Sequence, residues 1–269
     1  MIVGLNRVFR RPNVGGRASS DDYSRWEHHW GLEFARRYMN PRHDLAGRRV
    51  LDVGCGLGGK TVAYAECGAR AVGLDILDAN VEQSRRYADG TGADVDFVVA
   101  DAARIPVRDA AFDTVVANDA MEHFADPASA LAEMARTVVK GGGIWIFFTP
   151  HYSPLGSHLY DYVYTPWCHL LFTRAQLAAA IRRILAERSP DASTGDVDAR
   201  VAEIMQSYQS DLNHMSIHRF TAIVRKVPGL RVSLLELRPA RFGWLKPLTL
   251  IPGVRELFSG FVICRLERV

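Results

Sequence analysis

Between residues 49 and 149 apolar positions fall in short runs that alternate with stretches where they recur every three or four residues. The runs predict strands at 49–53, 70–75, 95–100, 112–118 and 143–149, and the spaced stretches predict helices at 60–67, 78–88 and 127–139. Asp126-Pro127 reads as the N-cap and first residue of the last helix, and Gly141-Gly142-Gly143 as the turn into the fifth strand. This rhythm is that of a parallel sheet with helices on both faces and right-handed crossovers, which binds ligands at the carboxyl ends of its strands.

The flanks read differently. Met1 to about Ser20 has the Gly, Arg, Pro and Ser content of a mobile arm, with an apolar-then-basic start, Ile2-Val3-Gly4-Leu5 followed by Arg7, Arg10 and Arg11. Ser19-Ser20-Asp21-Asp22 then offers the cap and first-turn acids of a helix to about Met39, ended by Pro41 and Gly47. Tyr23, Trp26, Trp30 and Phe34 share one face of that helix, the spacing of a core stripe. Beyond 150 come a turn-rich loop and an aromatic run. A helix capped by Thr173 then runs to about Glu187, a polar break spans 189–195, and a helix from Asp196 or Asp198 reaches about Leu212. Ser216 caps a last helix, and strands at 231–237 and 261–267 close the sheet. Between those strands Phe242, Trp244, Leu245, Leu248, Leu250, Ile251 and Leu257 form an apolar insertion, expected to pack against the sheet.

The candidate chemistry centres on Asp52-Val53-Gly54-Cys55-Gly56-Leu57-Gly58-Gly59, a strand end running into a glycine turn and a helix start. Bare backbone there brings N–H groups close to a small ligand. Gly54, Gly56 and Gly59 alone also satisfy a dinucleotide pattern. Asp52 separates the readings, because a carboxylate before the first glycine repels a pyrophosphate and suits a ligand with an ammonium and a sulfonium, S-adenosylmethionine (SAM). Asp75 ends the second strand about twenty residues on, where an acid accepts hydrogen bonds from ribose hydroxyls. Asp101 and Ala102 follow the third strand, placed for an adenine amino group and ring nitrogen.

Taken together, VLDVGCGLGG, GLDI, VVADAARIPV, FDTVVANDAMEHF, LAEMARTVVKGGG and IWIFFTP resemble the class I SAM-dependent methyltransferases, within them the methyltransferase type 11 family, over about residues 46–150. The resemblance implies an α/β, Rossmann-like doubly wound seven-stranded sheet with its last strand antiparallel, an N-terminal helical cap and a mostly helical lid insertion after strand five. The divisions expected are an arm and cap helix at 1–45, a SAM-binding core at 46–150, a substrate lid at 151–212 and a completion of the sheet at 213–269. Gly54 and Gly56 would bracket the methionine part, with Asp52 supporting the turn and its charge. Asp75 would hold the ribose, Asp101 and Ala102 the adenine, and the Asn118 carbonyl the ammonium, with Ile76 a further cofactor-binding residue. Tyr23, Trp26, Tyr152, Tyr160 and Trp167 are the candidate lid residues over the substrate.

Methyl transfer to a hydroxyl usually needs a base, and His151, just past the fifth strand, is the first candidate, with His158 second. Glu122-His123 follows strand four, as in many type 11 sequences, and also looks like the Phe-Glu-His-Phe of cyclopropane fatty acid synthases. Met121 stands where that motif has Phe, so Glu122 and His123 read as shaping the pocket. A net charge of +3 without a basic stripe argues against nucleic acid. Cys55, Cys67, Cys168 and Cys264 lack metal or disulfide spacing, so free thiols in a reducing cytoplasm and no metal are expected. The expectation is a cytoplasmic methyltransferase, monomer or homodimer, acting on a small and partly apolar or aromatic metabolite. O-methylation is favoured over N or C. The alternatives are a lipid or quinone methyltransferase at a membrane surface and a SAM-binding module without catalysis.

Overall fold

The computed structural model describes residues 1–9, 19–240 and 243–269. Arg10, Arg11 and Phe242 lie outside the described residues, as does the side chain of Arg7. Seven strands among the described residues form one sheet: β1 Arg49–Val53, β2 Arg70–Asp75, β3 Asp96–Val99, β4 Phe112–Asn118, β5 Val138–Phe148, β6 Leu230–Pro239 and β7 Ser259–Arg268. Their order is β3-β2-β1-β4-β5-β7-β6, with β1 to β5 parallel and the last strand antiparallel. The expected α/β, Rossmann-like seven-stranded arrangement is the one observed.

The described residues form two compact units. The first holds 19–148, Phe220–Glu236 and Ile263–Val269, and so most of the sheet. Its helices are α2 Ser20–Phe34, α3 Gly59–Glu66, α4 Asp78–Thr91 and α5 Pro127–Thr137, numbered after a short N-terminal helix, α1 Ile2–Val8. Ser19 caps α2 by accepting the Asp22 N–H at 3.1 Å, and Asp126 caps α5 through the N–H groups of Ala128 and Ser129. Val50, Tyr64, Val116, Trp145 and Ile263 pack with Phe34, Tyr38 and Met39 in one core cluster, and Cys55, Val62, Val81, Ala88 and Phe97 in another. Full burial of such side chains contributes roughly 1.5–3 kcal/mol each. Asp44 accepts the indole N–H of buried Trp145 at 2.9 Å and pairs with Arg265 through both carboxylate oxygens, at 3.0 and 3.1 Å.

The glycines expected as a turn before β5 lie inside it. β5 starts at Val138, and the register against β4 jumps from Phe112–Val138 to Thr114–Gly143, a bulge. A Cβ at Gly142 would stand 2.6 Å from the Asp113 carbonyl oxygen, so the close strand contact excludes any side chain there.

The second unit is helical. Its described part comprises α1, Thr149–Arg219 and Leu237–Val262, with α6 Cys168–Leu171, α7 Arg174–Arg188 and α8 Thr194–Ser210. The reading of Met1 onward as a mobile arm is corrected over 2–8. These residues are helical, Ile2 is buried with Leu177, Ile181 and Val201, and Asn6 donates to the Tyr162 carbonyl at 2.8 Å. Thr173 and Gln176 form a capping box at α7. α8 begins earlier than expected, because Ser193 and Asp196 make a second capping box. α9 Ile217–Lys226 carries the expected Ser216 cap, which accepts the Arg219 N–H at 3.0 Å.

Candidate functional site

β1 ends in buried Asp52, whose carboxylate accepts the Thr61 hydroxyl at 2.7 Å. That bond ties the strand end to the first turn of α3. Burial pushes the Asp52 carboxyl up to about 6, against the Thr61 bond and the Lys60 charge. The turn between them has positive φ at Gly54 (75°) and Gly56 (58°), where a side chain is strained. A Cβ on Gly54 would also stand 2.7 Å from Ala120 Cβ.

Asp75, at the end of β2, is the hub of the turn. Its Oδ2 accepts the Gly56 N–H at 3.0 Å, while Oδ1 accepts the Leu77 N–H at 3.0 Å and the Asn80 amide at 3.1 Å. A carboxylate has about four acceptor positions. Three are filled by the chain's own donors, which leaves one open to a further donor. Ile76 beside it is exposed, and the Asp75 carbonyl accepts the Ala100 N–H at 2.9 Å, which sets Asp101 and Ala102 at the neighbouring strand end. Asp101 is exposed and caps its own turn through the Ala103 N–H at 2.9 Å, and Ala102 is buried. Asn118 is buried at the end of β4 and donates to the Tyr64 hydroxyl at 3.1 Å.

Two residues of this site went unremarked in the sequence. Lys60 is 5 % exposed, and its ammonium donates to the Asn118 carbonyl and to the Asp119 carboxylate, both at 2.9 Å. Burial works against its charge, but Asp119 and Glu27 hold its pKa above the ordinary lysine value. Glu27 of α2 is 4 % exposed and reaches the glycine turn, where a Cβ on Gly56 would stand 2.9 Å from its Oε1. Burial pushes Glu27 up to about 7, with Lys60 opposing and Asp52 and Asp119 adding to the rise. Gly31, four residues on and on the same helix face, was the available signal, since a glycine inside a helix marks close backbone approach.

The expected aromatic core stripe of α2 is also corrected. The buried face is Ser24, Glu27, Gly31 and Phe34, whereas Tyr23 and Trp26 are half-buried and Trp30 is 51 % exposed. Their rings meet in sequence, the first pair tilted at 5.5 Å between centroids and the second edge-on at 6.4 Å.

Glu122 and His123 lie in the turn after β4, the first buried and the second exposed. The remaining candidates belong to the helical unit. His151 donates its backbone N–H to Met215 at 2.7 Å, and its ring contacts those of Tyr152, His169 and His214. Burial, with His169 and His214 adding, lowers its pKa to about 4. His158, with φ 54°, lies against Tyr160 at 5.9 Å. Trp167 donates to the Leu257 carbonyl at 2.9 Å and packs on Phe258, and Tyr152 is exposed. In the 243–258 segment the expected packing is not what exposure shows. Trp244 is 75 % exposed and Leu250 72 %, with Ile251 and Leu257 also exposed.

Residues 51–147 match the family model described as a methyltransferase domain. Over that stretch the chain is similar to methyltransferase domains of the class I SAM-dependent type. A ubiquinone biosynthesis O-methyltransferase of Thiobacillus denitrificans is 37 % identical to it over 114 residues, 42 % of this chain and 48 % of that protein. The same-named protein of Paracidovorax citrulli is 39 % identical over 107 residues, 39 % of this chain and 44 % of that one. The chain thus spans about half the length of the curated relatives it matches. Among solved structures, magnesium protoporphyrin IX methyltransferase from Synechocystis, with bound SAH, has a TM-score of 0.56 at 16 % identity, covering 98 % of this chain and 92 % of that one. The [4+2]-cyclase SpnF has 0.57 at 17 %, covering 94 % and 83 %. These two show the fold alone, and a fold does not by itself fix the reaction it carries.

The residues at the turn suit SAM by charge. Glu27, Asp52, Asp75 and Asp119 stand against the single ammonium of Lys60, with Asp75 keeping one acceptor position open. Among the described residues this balance suits a ligand that brings positive charge better than a diphosphate. No helix among the described residues is long and apolar enough to cross a membrane.

Proposed function

We propose that the protein is a SAM-dependent O-methyltransferase acting on an aromatic hydroxyl of a small, partly apolar metabolite. The observation that carries this reading is the match of its methyltransferase domain to relatives named O-methyltransferases, on a turn rich in buried carboxylates. SAM supplies an electrophilic methyl group when bound. Asp75 orients the ribose, and the acids around the glycine turn hold the positive charge. His151 serves as proton acceptor. Its pKa of about 4 makes it neutral at working pH but a weak base, which suits a phenolic hydroxyl, of pKa about 10, better than an alkyl alcohol.

The test is incubation with methyl-labelled SAM and a panel of catechols, phenols, aliphatic alcohols and amines. Label appearing as an aryl methyl ether is expected. Transfer to amines alone, or to none of the panel, would overturn the reading.

The exposed Trp244, Leu250, Ile251 and Leu257 favour a second reading, in which the hydroxyl belongs to a quinol with a lipid tail, met at a membrane surface. The ubiquinone biosynthesis of the relatives' names points the same way. Co-sedimentation with vesicles of anionic phospholipid, weakened by Trp244→Ser, is expected on that reading. Absence of binding at low salt removes it.

A further inference from the structure

The family resemblance implies that the Asn118 carbonyl takes the ammonium of the cofactor. That carbonyl already accepts the Lys60 ammonium at 2.9 Å. A lysine ammonium has three donors, and Asn118 and Asp119 take two of them. On the other side of the turn, the Glu27 carboxylate accepts the Gly59 N–H, while its buried Oε2 has no partner among the described residues. A buried carboxylate oxygen without a donor is costly, so this atom is an acceptor that a donor group could satisfy. No ion pair joins Glu27 directly to Lys60 among the described residues. The structure therefore presents one unused buried acceptor and one unused buried donor of opposite charge, beside backbone that carries no side chain.

An α-amino acid has the matching pair, an ammonium and a carboxylate on one carbon. We propose that Glu27 and Lys60 clamp the amino-acid end of SAM, Glu27 taking its ammonium and Lys60 its carboxylate. This rests on the cofactor reading above and names the residues that select an intact amino acid on the adenosine. Glu27, raised toward neutrality by burial, gives up its proton as the ligand ammonium arrives.

Calorimetry with two adenosine thioethers tests it: S-adenosylhomocysteine, which keeps the amino acid, and 5′-methylthioadenosine, which lacks it. Glu27→Gln, nearly isosteric, is expected to weaken S-adenosylhomocysteine roughly ten- to hundredfold, the range of a hydrogen bond to a charged group, and to leave methylthioadenosine within about twofold. Lys60→Met should show the same selectivity, and a thermal melt of each variant checks that it is folded. Repeating the titration near pH 7 in buffers of different ionisation enthalpy should show proton release for the wild type and none for Glu27→Gln. Equal loss for both ligands, or no loss for either, overturns the clamp and leaves the cofactor reading standing. Wild-type protein that binds neither thioether removes the cofactor reading itself.

Discussion

A methyl group added at Gly31 would stand 2.8 Å from the Cβ of Ala63, so α2 lies on α3 with no room for a side chain at the crossing. The same approach puts a Cβ 2.9 Å from the Lys60 Cα. The helix that carries Glu27 is thereby fixed against the helix that carries Lys60. Gly31→Ala gains about 1 kcal/mol in helix propensity, yet overpacking at such a crossing costs about 1–3 kcal/mol. Gly31→Val should be the worse of the two, with a lower denaturant midpoint and weaker S-adenosylhomocysteine binding. Wild-type stability in both variants would mean that the helices separate easily.

Glu27 and Asp52 make the ligand-free protein sensitive to pH in an unusual direction. Each carboxyl is raised in the fold, to about 7 from 4.5 and to about 6 from 3.8, burial being the first cause of both. A raised acid contributes stability that is full below its unfolded pKa and is lost as pH climbs through its folded one. The melting temperature without ligand should therefore fall between about pH 4 and 8. For Glu27 the loss has an upper bound of about 3 kcal/mol. Glu27→Gln should match the wild type near pH 5 and melt higher at pH 8. Parallel melting curves across that range would place Glu27 in water.

Apolar runs marked β1, β2 and β4 to the residue, because buried parallel strands need nothing but continuous hydrophobicity. Asp52 and Asp75 stood out as acids at strand ends, and the structure uses both to tie the glycine turn to its neighbours. Glu27 did not stand out, since Tyr23, Trp26 and Trp30 are the louder pattern on α2 while its buried face is small and polar. α1 escaped notice because a seven-residue helix holding Gly4 is too short to show a period. The exposure of Trp244 and Leu250 ran against their composition, which carries no information on whether an apolar segment has something to cover it.

Asp75→Asn separates ribose recognition from the clamp. The amide can keep an acceptor toward Leu77 and Asn80, but its NH2 then faces the Gly56 N–H, donor against donor. The turn loosens and the free acceptor for a hydroxyl is lost. Both S-adenosylhomocysteine and methylthioadenosine should weaken by roughly ten- to hundredfold, because both carry the ribose. Selective loss of one ligand, or unchanged binding of both, would take Asp75 out of ribose binding.

His151 makes the opposite contribution to pH dependence. Burial, and then His169 and His214, lower its pKa to about 4 from 6.5. A lowered histidine favours the folded state above its unfolded pKa, and that stability is lost as pH falls from about 6.5 toward 4. As proton acceptor it should stay neutral, so the methyl-transfer rate should hold from pH 8 to about 5, where an unperturbed imidazole would already be failing. His151→Ala should keep S-adenosylhomocysteine affinity and lose roughly a hundredfold in turnover, the usual size of general base catalysis. An acid limb near pH 6.5, or an unaltered rate in the variant, would assign the proton to another group, His158 being the next candidate on the same loop.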